Sequence, residues 1–140
     1  MSFMNTRNDI QDDGTLKLNK PVKLPEVLDM LIVGGGPAGT AAAFHAKELG
    51  LNALVIDFDD ILKRIRDYAK DKQILPSFGG GDKMKFPKGR DIVAKLHFEP
   101  IDKDEMQMAW KKFYVENNIP ANIKVELTGL DKGRDGLWTA

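Results

Sequence analysis

Residues 29–43 read DMLIVGGGPAGTAAA, an apolar run that breaks into three consecutive glycines and resumes as alanines. The run from Val27 to Val33, VLDMLIV, is apolar and ends on β-branched residues, which suits a strand buried on both faces; Asp29 is its one polar interruption. After Pro37, small residues at Ala38, Ala42 and Ala46 followed by Leu49 fall at helical spacing and predict a helix whose narrow face packs closely on a sheet. Gly50 then takes the position just past the helix end. The next apolar run, NALVIDF (52–58), predicts a second strand, so the segment is a strand, helix and strand unit with a right-handed crossover.

Within that unit Gly34, Gly36 and Gly39 fit G-x-G-x-x-G where the first strand meets the first helix, and Asp57 ends the second strand 18 residues beyond Gly39. Each residue type has a separate physical reason. Gly34 permits the tight turn, Gly36 lets a pyrophosphate approach the main chain, and Gly39 lets the helix pack against the strand. Backbone N–H groups and the positive helix end hold the diphosphate. Asp57 sits where a carboxylate accepts hydrogen bonds from an adenosine ribose and repels a 2′-phosphate. The spacing alone leaves FAD and NAD open as ligands, and the bland alternative is a glycine-rich turn between buried elements.

The remainder of the chain is read outward from that unit. Residues 1–25, with Gly14, Pro21 and Pro25 and no apolar period, predict an extended or disordered leader, and residues 26–140 the folded domain. Asp59 or Asp60 is positioned to cap a short helix in which Ile61, Ile65 and Tyr68 share a face. Seven prolines and glycines between residues 71 and 101 predict a long loop. Asp102 with Glu105 resembles a capping box, and Met106, Trp110 and Phe113 mark the core stripe of a third helix ending before Pro120. IKVELTGL (123–130) and GLWTA (136–140) flank DKGRDG and predict a β-hairpin turning at Asp135 and Gly136.

Composition narrows the function. The 140 residues, 42% of them hydrophobic, are enough for one core. Twenty-one basic residues balance twenty-one acidic ones, which gives no net field toward nucleic acid or anionic membrane. There is no cysteine, so the chain carries neither a disulfide nor a redox dithiol of its own. The longest apolar stretch falls far short of the roughly 20 residues that span a bilayer. Without a signal-peptide pattern at the start, the expected location is the cytoplasm. His45 and His97 lack metal-ligand companions at suitable spacing and read as surface or structural residues. Lys83, Lys85, Lys88 and Arg90 read as a solvated loop rather than an anion-steering patch.

DMLIVGGGPAGTAAAFHAKELG followed by ALVID resembles the N-terminal FAD-binding motif of flavoproteins with two dinucleotide-binding domains. FGGGDKMKFPKG, FEPIDKDEMQMAWKKFYVENNI and VELTGL leading into DGLWT are similar to the FAD domain of thioredoxin-reductase-like oxidoreductases. The resemblance spans residues 27–140. It implies an α/β fold of the Rossmann type, an FAD-binding domain with a parallel sheet, helices on both faces and a hairpin or meander, that is incomplete. It also implies FAD as cofactor, NAD(P)H as co-substrate, and a cofactor-binding set of Gly34, Gly35, Gly36, Pro37, Ala38, Gly39, Asp57, Phe58 and Val125, and it places Tyr68 and Phe78 for cofactor contact.

Two departures bear on the activity. The family carries an inserted NAD(P)H domain with a second glycine fingerprint and a returning segment with a Gly-Asp motif, and neither is found in this sequence. Gly79–Gly81 follow ILPSF rather than a buried strand and do not supply a second fingerprint. DDILKRIRDYAKDKQ (59–73) excludes the branch with a cysteine pair after the second strand. The resemblance therefore implies a chain that by itself binds FAD weakly, consumes little NAD(P)H, and associates with itself or with the remainder of a flavoprotein through an open sheet edge. The contrasting reading is a non-catalytic module that binds NAD or another ADP-containing dinucleotide.

Overall fold

The computed structural model describes residues 17–20, 22–70, 72–74 and 101–140. Phe78, Gly79–Gly81, the basic run and His97 lie outside the described residues, as do residues 1–16 of the leader.

The strand, helix and strand unit forms as the apolar pattern requires: β1 (Met30–Val33), α1 (Pro37–Glu48) and β2 (Ala53–Asp57). β1 and β2 pair in parallel from Met30 opposite Ala53 to Val33 opposite Ile56. β1 is shorter at its start than the apolar run because Asp29 turns its carboxylate onto Asn52, accepting from the backbone N–H at 2.8 Å and from Nδ2 at 3.0 Å. That bond pins the open end of the strand pair. Pro37 opens α1, where the lack of an N–H costs nothing, and Gly50 follows its last turn with φ +73°.

The face that α1 buries differs from the expected one. Thr40, Ala43, Phe44 and Ala46 are buried, whereas Ala38, Ala42 and Leu49 are exposed, so only Ala46 of the predicted stripe holds. Small residues do not by themselves mark the inward face; in α1 the buried side is fixed by Phe44, the one large apolar residue of the helix interior.

After β2 comes α2 (Lys63–Arg66), a single turn. Neither Asp59 nor Asp60 caps it. Its N-cap is Leu62, held in the left-handed region at φ +57°, and Tyr68 is exposed rather than aligned with buried Ile61. β3 (Gln73–Ile74) pairs antiparallel with β4 (Ile101–Asp102), which draws together the two ends of the predicted loop. α3 (Lys103–Glu116) starts where Asp102 accepts the Asp104 N–H at 2.8 Å; Glu105 is exposed. β5 (Ala121–Ile123) then joins the outer side of β2 in parallel, giving the order β1-β2-β5. β2 is central, and Val55 is fully buried.

Both crossovers step in the same direction across the sheet, and right-handedness places both connections on one face. α1 and α3 meet there: Phe44 and Phe113 pack with ring centroids 5.1 Å apart, and the hydroxyls of Thr40 and Tyr114 share a hydrogen bond at 2.9 Å. Among the described residues the expectation of helices on both faces is thus met on one. Met106, Trp110 and Tyr114 at i, i+4, i+8 form the buried spine of α3, while Phe113 is only half-buried. The described end of the leader rests on the end of this helix as well, with the Asn19 N–H on the Val115 carbonyl at 3.4 Å, the Lys20 N–H on Asn118 Oδ1 just beyond the helix at 2.6 Å, and Leu18 against the core.

The hairpin is present but displaced. β6 (Asp131–Lys132) and β7 (Trp138–Thr139) pair across a turn containing Asp135 and Gly136, the latter at φ +84°. None of IKVELTGL is a hairpin strand: Ile123 belongs to the parallel sheet, and the chain reaches the hairpin only at Asp131.

Burial drives the Tyr114 phenol up from its ordinary value near 10 to about 12; the negative charge of Asp57 adds to this and the bond to Thr40 partly offsets it. The folded protein therefore retains the neutral phenol where the unfolded chain ionises. Its contribution to stability is intact below pH 10 and is lost, by about 2–3 kcal/mol, as pH rises through 10 towards 12. Tyr114→Phe is expected to remove that alkaline loss, which urea denaturation at about pH 9 and about pH 11 measures.

Candidate functional site

The site is built at the C-terminal edge of β1 and β2, where the chain leaves one strand for a helix and the other for a turn. Gly34 adopts φ +103°, closed to residues with a Cβ, and its N–H donates to the Ile56 carbonyl at 2.7 Å, continuing the strand pairing into the turn. Gly39 is required for a different reason. A Cβ there would overlap the Gly34 carbonyl oxygen and lie 3.1 Å from its carbon and 3.3 Å from Ile32 Cγ2. The first turn of α1 is therefore pressed against the backbone of the glycine turn.

Gly36 contrasts with both. It has φ −78°, and a Cβ placed on it would meet nothing within 4 Å. Neither backbone conformation nor protein packing demands glycine at this position. What a side chain would fill is the open space in front of the α1 N-terminus, where no side chain caps the helix and no acidic residue stands in the first turn. Pro37 and Ala38 are exposed beside it. Uncapped N–H groups, the positive helix end and free space together fit an anion.

Asp57 reaches back to this turn. Its Oδ2 accepts the Gly35 N–H at 2.7 Å and its Oδ1 accepts the Asp59 N–H at 2.9 Å. The predicted ribose acceptor is thus also the tie between the two strand ends, and each carboxylate oxygen keeps a further lone pair for a ligand hydroxyl. Val125 is drawn in through its backbone: its N–H donates to the Asp57 carbonyl at 2.9 Å, extending the pairing of β5 with β2. Phe58, next to Asp57, leaves 66% of its surface exposed. Of the predicted set, the six residues 34–39, Asp57, Phe58 and Val125 are therefore brought to one edge, while Tyr68 is exposed beyond α2.

Three residues outside the predicted cofactor-binding set hold the glycine turn from below. Ile61 is fully buried with its Cδ1 against Gly35, Leu62 donates its N–H to the Gly35 carbonyl at 3.1 Å, and Asp60 anchors their segment in the interior. The Asp59-Asp60 doublet is the available signal, but it is equally what a helix cap looks like. Asp59 is held between Lys124 and Lys63, the latter at 2.8 Å, and the hydrogen bond from Lys124, with that from Lys63, brings its carboxyl down to about 2. His45 is an exposed residue beside Glu48 at 3.7 Å. Among the described residues there is no group of His, Asp and Glu arranged to hold a metal, and no helix is long and apolar enough to cross a membrane.

Comparison with known proteins places this geometry. Residues 31–137 match the family model described as pyridine nucleotide-disulphide oxidoreductase. The chain is 31% identical over 86 residues to a ferredoxin–NADP reductase of Ignicoccus hospitalis, covering 60% of this chain and 28% of that protein. Over 32 residues it is 53% identical to a thioredoxin reductase of Ureaplasma parvum, covering 23% of this chain and 10% of that one. The solved bacillithiol disulfide reductase Bdr from Bacillus cereus superposes with a TM-score of 0.57 at 21% identity, over 81% of this chain and 36% of its own. This chain accordingly spans about a third or less of the length of each.

Two substitutions separate the roles of the turn. Gly36→Val is expected to abolish dinucleotide binding while far-ultraviolet circular dichroism and thermal stability stay near those of the parent, because the added groups enter open space. Gly39→Ala, by contrast, is expected to lower stability by about 1–3 kcal/mol through the forced clash with Gly34. Asp57→Ala is expected to weaken ADP binding by about 1–3 kcal/mol in calorimetry, and unchanged affinity would assign Asp57 to the fold alone.

Proposed function

Because the chain belongs to the pyridine nucleotide-disulphide oxidoreductase family, we propose that it forms the FAD-binding portion of a flavin-dependent oxidoreductase that uses NAD(P)H. The observation that carries this reading is Gly36, a glycine with an ordinary φ whose missing side chain leaves open space at an uncapped helix N-terminus. In this reading the N–H groups at the start of α1 hold the pyrophosphate of the ADP half, and Gly34 and Gly39 fix the turn that presents them. Asp57 holds the turn through Gly35 and offers its remaining lone pairs to the ribose. Phe58 supplies an exposed apolar face beside that ribose position, and Val125 fixes the edge of β5 next to it. The flavin, when bound, supplies the hydride chemistry, and the protein supplies binding and orientation.

The edge position of β1 supports an associated state. Its outer side is unpaired among the described residues, and Met30 and Val33 are 38% and 58% exposed. In this proposal a second copy or the remainder of a flavoprotein covers it.

Flavin titration tests the reading directly. The purified chain is expected to bind FAD, seen as perturbation of flavin absorbance at about 450 nm, and ADP is expected to compete with FAD for the chain. Binding of NAD without FAD would overturn the flavin assignment in favour of a dinucleotide-binding module, and binding of neither would overturn both.

A further inference from the structure

The strongest unassigned feature is a set of charged and polar side chains in the interior beneath the glycine turn. Lys111, on the inward face of α3, is 6% exposed and Asp60 8% exposed, and they form an ion pair with Nζ 2.7 Å from Oδ2. Gln107, one turn earlier on α3, donates from Nε2 to the Ile61 carbonyl at 2.7 Å and lies 3.4 Å from the same Asp60 oxygen. The other Asp60 oxygen accepts the Ile61 N–H at 2.8 Å, and Arg66 approaches from α2 at 3.4 Å. A buried ion pair adds little net stability compared with an apolar pair of similar volume, so stability alone does not account for it.

Its connections point elsewhere. The segment fastened by these groups, Asp60 to Leu62, grips Gly35: Ile61 covers its Cα and the Leu62 N–H donates to its carbonyl. Leu62 does so from the left-handed region at φ +57°, a conformation a leucine keeps only where its surroundings impose it. Asp57 holds the same residue through the Gly35 N–H. Gly35 has no Cβ by which packing could fix it, so its orientation is set by these backbone contacts. The peptide that follows it leads directly into Gly36 and the N-terminus of α1.

We propose that the Lys111–Asp60 pair, with Gln107, positions the nucleotide cradle: α3 fixes residues 60–62, and these fix Gly35 so that Gly36 and the first N–H groups of α1 face the diphosphate. Lys111 and Gln107 are positioning residues that do not touch the ligand. The inference rests on the nucleotide reading given above. It differs from that reading in assigning ADP affinity to side chains of a helix remote from the glycine motif.

The test is an NMR titration of the ¹⁵N-labelled 140-residue chain with ADP, comparing the parent with Lys111→Met, Gln107→Met and, as a control for simple loss of core packing, Ile119→Val. Lys111→Met and Gln107→Met are expected to bind ADP about tenfold more weakly. Their Gly35 and Gly36 amide resonances are expected to move in the ADP-free spectrum. Ile119→Val is expected to lose stability without loss of affinity and without moving those resonances. Should Lys111→Met fail to fold, Gln107→Met decides, since it deletes the bond to Ile61 and leaves the ion pair in place. Parent-like affinity in the folded variants, or an equal loss in Ile119→Val, would overturn the positioning role. A parent chain whose Gly34–Gly39 resonances do not respond to ADP would instead overturn the nucleotide reading on which the role rests.

Discussion

The contact between the start of α1 and the carbonyl of Gly34 governs the geometry of the whole sheet edge. Because Gly39 presents no side chain, the helix can begin directly above the turn that ends β1. That approach aims the α1 axis, and with it the unsatisfied N–H groups, at the space before Gly36. It also sets the depth at which Thr40 and Phe44 enter the interior, where they meet Tyr114 and Phe113 of α3. A helix displaced outward by one methyl group would lose the buried hydroxyl pair and the aromatic contact together. The constraint that shapes the ligand space is thus also the constraint that closes the core.

The central unit was legible because its signals are local and redundant. An apolar strand, a glycine turn, a proline at the helix start and Gly50 past its end all agree over one short stretch, and β1, α1 and β2 appear where those signals put them. Legibility fails where the deciding partner is distant in sequence. The inward face of α1 is set by Phe44, whose ring packs on Phe113 of α3, so the alanine stripe misled. Leu62 becomes an N-cap in the left-handed region because Gly35 and α3 hold it there, so the Asp59-Asp60 doublet misled in turn. Lys111 and Gln107 look like solvent-facing residues of an amphipathic helix, and their burial follows only once Asp60 is seen beneath them.

The even charge balance takes on a structural meaning in the fold. Asp60 is matched by Lys111 and Arg66, and Asp59 by Lys63 and Lys124, so the turn after β2 concentrates carboxylates that are individually neutralised by lysines and an arginine from three other places in the chain. Asp57 stands apart among these three acids. Its oxygens accept backbone N–H groups from Gly35 and Asp59 instead of lysine or arginine side chains, so its negative charge is held by dipoles rather than cancelled by a cation. In the proposed reading the helix end attracts the diphosphate before Gly36, while Asp57 accepts from the neutral hydroxyls of the ribose.

The same arrangement explains why α3 belongs to the site although none of its residues faces the cradle. A glycine turn is the least self-supporting backbone available, since each missing side chain removes the packing that would hold it. The turn here is made rigid from outside, by Asp57 at the Gly35 N–H, by Ile61 packed against Gly35, and by Leu62 at its carbonyl. Those two residues are in turn fastened to α3 through Gln107 and through Asp60. Open space for a ligand and a fixed orientation of the groups that line it are opposing requirements in a turn without side chains. This fold meets them by keeping the turn bare and placing the rigidity one layer deeper, in a helix more than sixty residues further along the chain.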